Sequence, residues 1–389
     1  MYRKTFARID GNILKNNIIE IKKNYNNYEY YIGVVKNNAY GHGIYVVNDL
    51  IAGGVNYLAV SSLEEALDIR KYNMEIPILC LEPIEIEYVY DAINNNVAIT
   101  IESLEYLQEL NELKLQDILK IHVKIDSGMN RLGFKSAKNL NRAMQIIGDN
   151  KKLYLEGIYS HFATSGISDK NWDLQLKNFK KITKDINLNT IPIVHLGRSL
   201  TLVNHPKVVF CNGIRLGIVM FGFAQNMNKG NFLQEFRREL IIKRYNISET
   251  YRTNSLSLRT AFSLYSKVVS IRKVKEGEFV GYNANFMTKE VTFIATLPIG
   301  YADGVSKAFK YVNIKGKKYE IVADTMDMIM VKVDKSVKVG DKVEIFGDNI
   351  KIPEVTSKLG VNAYHLFNQI TNRVPRVHVR DGFEEEIKY

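Results

Sequence analysis

An N-terminal (β/α)8 TIM-type barrel followed by a C-terminal all-β domain is the architecture this sequence predicts. Three observations predict it. Between about residues 30 and 223, eight short apolar or β-branched runs alternate with longer, charge-rich amphipathic stretches. After residue 256 the rhythm changes to β-type runs separated by Gly-Asp turn signals. The length, 389 residues, is enough for two domains at roughly 100–200 residues each.

The runs of the first part lie at 31–35, 57–60, 76–80, 97–100, 121–125, 155–160, 191–195 and 208–216. The stretches between them read as helices. One opens at Ser62, with Glu65 three places on, the pattern of a capping box. Strands separated by helices pair in parallel through right-handed crossovers, and eight such units predict a closed barrel. A doubly wound open sheet is the alternative, but no Gly-x-Gly-x-x-Gly follows the first strand. In the second part the runs at 261–269, 291–299, 319–322 and 331–333 are punctuated at Gly340-Asp341 and Gly347-Asp348. The expected boundaries are 11–226 for the barrel and 227–389 for the β-domain, with residues 1–10 packing on the latter. The polar stretch 227–255 reads as an insertion or linker with some helix.

Composition bounds the function. Hydrophobic residues make up 46% and charged residues 24%, ordinary for a globular chain. No apolar run approaches the ~20 residues that span a bilayer. The first residues lack the apolar core of a secretory signal, so a cytoplasmic location is expected and no membrane partner. Cys80 and Cys211 have neither partners for a disulfide framework nor metal-ligand spacing; both are expected to be small buried hydrophobes, and no metal is expected. The net charge of +11 is scattered rather than gathered in one block, so it reads as a solvated basic surface and not as a nucleic-acid face.

Five strand ends carry chemistry. The first run ends in Val34-Val35-Lys36-Asn37-Asn38-Ala39-Tyr40-Gly41-His42-Gly43. In a barrel, strand C-termini face the active site, and an amine there can form a Schiff base with an aldehyde. By position alone a strand-end lysine such as Lys36 is more often a snorkelling surface residue. The fifth ends in Lys124-Ile125-Asp126-Ser127-Gly128-Met129-Asn130-Arg131: a carboxylate-matched arginine fork, or simple ion pairing. The sixth ends in Tyr159-Ser160-His161, the seventh in His195-Leu196-Gly197-Arg198-Ser199, and the eighth in Arg215-Leu216-Gly217-Ile218. Loops after strands seven and eight often bind phosphate.

Together the Lys36 and Lys124–Gly133 blocks resemble the alanine racemase family of pyridoxal-phosphate enzymes, over nearly the whole chain. The resemblance implies pyridoxal 5'-phosphate on Lys36, which also serves as the base for the D-antipode. It implies Tyr282, in Gly281-Tyr282-Asn283-Ala284, as the base on the opposite face, supplied across a homodimer interface. A free phenol ionises near pH ~10, so such a base needs a cationic neighbour. The resemblance makes His161 that neighbour, linked to Arg215, which matches the arginine facing the pyridine nitrogen. Tyr40, Ser199, Gly217, Ile218 and Tyr364 match phosphate-binding positions. Arg131 and the N–H of Met326 match the substrate-carboxylate site. Tyr301 matches a tyrosine that restricts side-chain size, and Lys124 a lysine that is often carbamylated.

The implied reaction is interconversion of L- and D-alanine, supplying D-alanine for peptidoglycan precursors. A serine or broad-specificity racemase, or a decarboxylase of similar layout, are the alternatives. Departures from the family pattern are Arg198 in place of Asn, Thr325 in place of Cys, and the long 226–255 stretch.

Overall fold

The computed structural model describes residues 2–164, 170–224 and 256–387, together with Leu233, Phe236 and Leu240. The stretch 227–255, expected to be an insertion or linker, lies outside the described residues apart from those three positions. The chain divides into two units. One contains Met1–Leu14, Tyr40–Gly43 and Arg259–Tyr389; the other contains Lys15–Ala39 and Ile44–Leu258.

The first strand, β1 (Phe6–Asp10), belongs to the sheet of the first of these units. The second unit is a barrel of eight parallel strands. They are β2 (Tyr30–Val34), β3 (Tyr57–Val60), β4 (Ile78–Cys80), β5 (Val97–Ile101), β6 (Leu119–Lys124), β7 (Leu153–Tyr159), β8 (Ile193–His195) and β9 (Gly213–Leu216). They hydrogen-bond in the order β8-β7-β6-β5-β4-β3-β2-β9. The ring is nearly closed: between β8 and β9, Asn212 N–H donates to the Val194 carbonyl at 3.2 Å and Arg198 and Arg215 form an isolated parallel bridge. The strands are short and mostly buried, as parallel strands under helices are, with Tyr154 near the start of β7 exposed.

Three of the crossover helices begin at serine caps. Ser62, Ser103 and Ser136 accept from the N–H groups of Glu65, Tyr106 and Asn139. The expected capping box at Ser62 is only half made, because the Glu65 carboxylate accepts from Ser61 N–H and hydroxyl, both at 2.9 Å, instead of from Ser62 N–H. The eighth strand also differs from expectation. Val209 and Phe210 form a turn, and pairing starts at Gly213. Val209 is exposed: the start of this apolar run is a turn at the surface and not strand.

The other unit carries a ten-stranded sheet in the order β11-β14-β17-β16-β15-β18-β10-β1-β19-β20. Its members after β1 are β10 (Phe262–Lys267), β11 (Ser270–Val274), β14 (Thr292–Leu297), β15 (Tyr311–Ile314), β16 (Lys317–Asp324), β17 (Ile329–Val333), β18 (Lys342–Phe346), β19 (Arg376–Arg380) and β20 (Phe383–Ile387). A separate hairpin joins β12 (Phe279–Val280) to β13 (Phe286–Met287). β1 pairs antiparallel with β10 and parallel with β19, Ala7 facing both Leu264 and Arg376. Two short helices, Ile352–Leu359 and Ala363–Gln369, punctuate this sheet domain. They start at a first-turn proline and at an Asn362 cap, two helix-start signals the β-type pattern overshadowed.

Candidate active site

At the barrel's C-terminal face, Lys36 follows β2 directly and is partly buried. The next four residues, Asn37, Asn38, Ala39 and Tyr40, all have φ of 51–53°. A left-handed turn costs roughly 1–2 kcal/mol per non-glycine residue, and strain of this kind gathers where function needs a set geometry. The Asn37 N–H donates to the Glu65 carboxylate, and Ala39 N–H donates to the Val35 carbonyl at 2.9 Å, so the turn is held from both sides. β2 pairs with β9 so that Ile32 faces Arg215, which brings the exit of the lysine strand beside the arginine strand.

Arg215 is 2% exposed, and its donors are almost fully used. Nη1 donates to His195 Nδ1 at 2.6 Å and to the His195 carbonyl at 2.8 Å. Nη2 donates to the Ser160 and Leu196 carbonyls at 2.6 and 3.0 Å and to His161 Nδ1 at 3.2 Å. Nε meets no acceptor among the described residues. Burial pulls the guanidinium down to about 10, which still leaves it cationic at neutral pH.

That fixed charge governs its neighbours. His161 is pushed well below the usual histidine range by burial, then by Arg215, Arg198, Lys124 and Arg131. The sequence reading cast it as a cationic neighbour. It is instead a neutral ring that accepts from Arg215, and the positive charge belongs to the arginine. Lys124 lies 4.4 Å above the Tyr159 ring. Burial, then Arg215 and Arg131, bring its amine down to about 7, against an opposing pull from Asp126. Asp126 pairs with Lys135, whose Nζ lies 3.7 Å from Oδ2. Its Oδ1 accepts from Gly128 and Asn130 N–H, both at 3.0 Å, and so shapes the loop that carries the exposed Arg131.

Ser199, 3% exposed, starts the short helix Ser199–Asn204. Its Oγ accepts from Gly217 N–H at 2.7 Å, so the ends of the seventh and eighth units meet and the hydroxyl proton is left to donate. Ile218 follows, buried. Arg198 occupies the extended position before this helix and reaches the Phe162 carbonyl through Nε at 3.4 Å.

The remaining candidates lie in the sheet unit. Tyr40 and Tyr364 pack with ring centroids 5.0 Å apart, and the segment behind Tyr40 is anchored where Arg376 Nε donates to the Gly41 carbonyl at 3.1 Å. Tyr282 is 70% exposed, on the tip between β12 and β13. Gly281 before it has φ 80°, and a Cβ there would lie 2.5 Å from that of Ala323, so only glycine lets this tip approach β16. Tyr301 and Met326 are brought together: Tyr301 N–H donates to the Thr325 carbonyl at 3.2 Å and Ala302 N–H to that of Met326 at 3.0 Å. Both side chains are more than half exposed.

Sequence reasoning missed one group. Tyr57, His122 and Glu156 were read as strand interior, yet they continue inward from His195 as a hydrogen-bonded chain. The available signal was a histidine and a glutamate in the middle of predominantly apolar strand runs. The cysteines are as expected: Cys80 and Cys211 are buried, and burial pushes both thiols up to about 12.

Comparison with known proteins gives the family. Residues 9–225 match the model of the alanine racemase N-terminal domain, and residues 261–378 that of the C-terminal domain. The chain is 32% identical to alanine racemase 1 of Bacillus subtilis, covering 100% of this chain and 96% of the relative. It is 33% identical to the alanine racemase of Methanococcus maripaludis, covering 96% and 98%. The solved alanine racemase of Clostridium difficile 630 superposes with a TM-score of 0.86 at 31% identity, over 100% of this chain and 98% of that one. With a lysine-headed barrel, a sheet domain and both domain models matched along nearly its full length, the chain belongs to the alanine racemase family.

Proposed function

We propose that this chain interconverts L- and D-alanine with pyridoxal 5'-phosphate as its cofactor. The observation that carries the reading is Arg215, a buried cation at the barrel mouth whose Nη groups are all engaged and whose Nε meets no acceptor among the described residues. That donor suits a pyridine nitrogen. Because arginine keeps its own protons, it offers that nitrogen a hydrogen bond without protonating it. The donor set fits the rest of the cofactor. Lys36 would hold the aldehyde carbon, and the Ser199 hydroxyl, Gly217, Ile218, Tyr40 and Tyr364 would hold the phosphate. When bound, pyridoxal phosphate supplies an electron sink that acidifies the substrate Cα–H.

Inverting a stereocentre requires a proton to leave one face and return on the other, so two bases are needed. The Lys36 amine handles the proton on one face, and the Tyr282 phenol on the other. The neutral His161, hydrogen-bonded to Arg215, orients the tyrosine. Arg131 and the Met326 N–H receive the substrate carboxylate, and Tyr301 limits the side chain that fits. An amine near 7, as at Lys124, is substantially neutral at neutral pH, the form that adds CO₂; the carbamate would lie within reach of the Arg131 and Arg215 charges.

Tyr282, Tyr301 and Met326 are each more than half exposed in the single chain, which supports a homodimer with active sites completed by the partner. The same reading puts the enzyme in the cytoplasm, supplying D-alanine for peptidoglycan precursors. The test is direct. Purified protein with pyridoxal phosphate converts L-alanine to D-alanine and the reverse. Turnover of serine well above alanine, or none of either, overturns the assignment. Mixing K36A and Y282F chains restores activity if the sites are shared, and fails to if each chain is self-contained.

A further inference from the structure

The barrel interior holds a chain of polar groups that the reaction as described does not use. His195 Nδ1 accepts from Arg215 Nη1 at 2.6 Å, and His195 Nε2 lies 3.1 Å from His122 Nδ1. His122 Nε2 lies 3.1 Å from Glu156 Oε2, and the same oxygen accepts from the Tyr57 hydroxyl at 2.5 Å. Tyr57, His122 and His195 are at most 1% exposed, and Glu156 is buried.

Arg215 sets the direction of the whole chain, since a guanidinium only donates. His195 Nδ1 must therefore carry a lone pair, which places the ring's proton on Nε2. That proton faces His122 Nδ1, which must also accept, so the proton of His122 sits on Nε2 and points at Glu156. Both rings are neutral, and only an acceptor can end the series. Burial lowers the proton affinity of both histidines, most strongly at His195, where Arg215 adds to it. Burial opposes ionisation of Glu156, but the donors His122 and Tyr57 and the nearby Lys120 charge outweigh it and hold the carboxyl below its usual range.

Two features of the backbone are shaped around this chain. Between β6 and β7, Ile121 pairs with Leu155 but His122 pairs with Gly157. Glu156 is thus the extra residue of a bulge, a device that re-aims a side chain. Gly157 leaves room for the imidazole: a Cβ there would lie 2.3 Å from His122 Nδ1.

We propose that Glu156, acting through His122, is a positioning residue for the reaction: it ends a one-directional series of donors that keeps the Nδ1 lone pair of His195 turned to Arg215. Tyr57 holds the carboxylate in place. Without this terminus His195 is free to take the other tautomer and set an N–H against the arginine's own N–H. The guanidinium then loses the orientation that aims Nε. The consequence for turnover rests on the function proposed above; the tautomers themselves do not.

The test uses the holoenzyme labelled with ¹⁵N-histidine, where seven histidines give a sparse spectrum. At neutral pH His122 and His195 are expected to show neutral imidazoles protonated on Nε2. E156L is expected to scramble the His195 signals and to lower kcat roughly tenfold while KM stays within about twofold, because a positioning group acts after binding. E156Q, which keeps an acceptor oxygen, restores the single tautomer and most of kcat. Wild-type His195 protonated on Nδ1 or on both nitrogens overturns the proposal, even where a variant fails to fold. So does E156L with wild-type kcat. An inactive wild type showing the expected tautomers would count against the racemase assignment and leave the chain of donors standing.

Discussion

Replacing Gly157 with alanine adds a single methyl group to ordinary strand backbone, so its cost is steric. The new Cβ would lie 2.3 Å from Nδ1 and 2.4 Å from Cε1 of His122, against ~3.5–4.0 Å for ordinary contact. The ring has to move by about an ångström, and it has nowhere to go without breaking its contacts with His195 at 3.1 Å and Glu156 at 3.1 Å. Overpacking of this kind costs ~1–3 kcal/mol, and each buried group left without a partner costs ~1–3 kcal/mol more. Partial relaxation brings the expected loss to about 3 kcal/mol. For a domain of this size each kcal/mol lowers Tm by about 2–4 °C, so G157A should melt roughly 6–12 °C below wild type. Differential scanning calorimetry measures it, and a companion G157A/H122A chain should recover part of the loss. A G157A melting within ~1 °C of wild type would show that the interior has slack, and would refute the reasoning from packing.

Other expectations concern charge and reactivity. The Lys124 amine sits at about 7 in the folded chain and near ~10.4 unfolded. Between those values the unfolded chain binds more protons, so this group makes stability rise with pH, by at most ~1.4 kcal/mol per unit, and its penalty is full below about 7. Melting in CO₂-free buffer near neutral pH and near pH ~9 should show wild type gaining on K124M; parallel curves would contradict it. Y282F should lose a factor of ~10²–10⁴ in racemisation, the usual contribution of a positioned base, while still taking up cofactor; full activity would remove Tyr282 from the mechanism. Cys80 and Cys211, both near 12 and buried, should stay unlabelled by Ellman's reagent until the chain unfolds, and prompt reaction of either in the native state would contradict their burial.

Much of the fold was legible because it is written in local pattern. Seven of the eight barrel strands coincide with apolar runs, since a parallel strand covered on both faces leaves no polar alternation to confuse. The eighth slipped because the turn at Val209 and Phe210 is also apolar. The helices Ile352–Leu359 and Ala363–Gln369 were missed because each is short, in a region where β-type runs set the expectation. Residues at strand ends, such as Lys36, Arg131, Ser199 and Arg215, could be picked out because a barrel gathers strand ends whatever its details.

The sequence by itself determined the order of units, the lysine at the head of the barrel and the residues at its mouth, because those depend on periodicity and on motifs contiguous in the chain. Only the tertiary structure decided their charge states and their interior support. Whether His161 carries a proton depends first on its burial and then on Arg215, Arg198, Lys124 and Arg131, which lie on other strands and loops. Glu156 is the extra residue of a bulge between Leu155 and Gly157, and its carboxylate lies 3.1 Å from His122 Nε2, a contact that alternation along its own strand does not specify. Register and burial are properties of the assembled barrel, since they arise from residues far apart in the chain meeting across one interior.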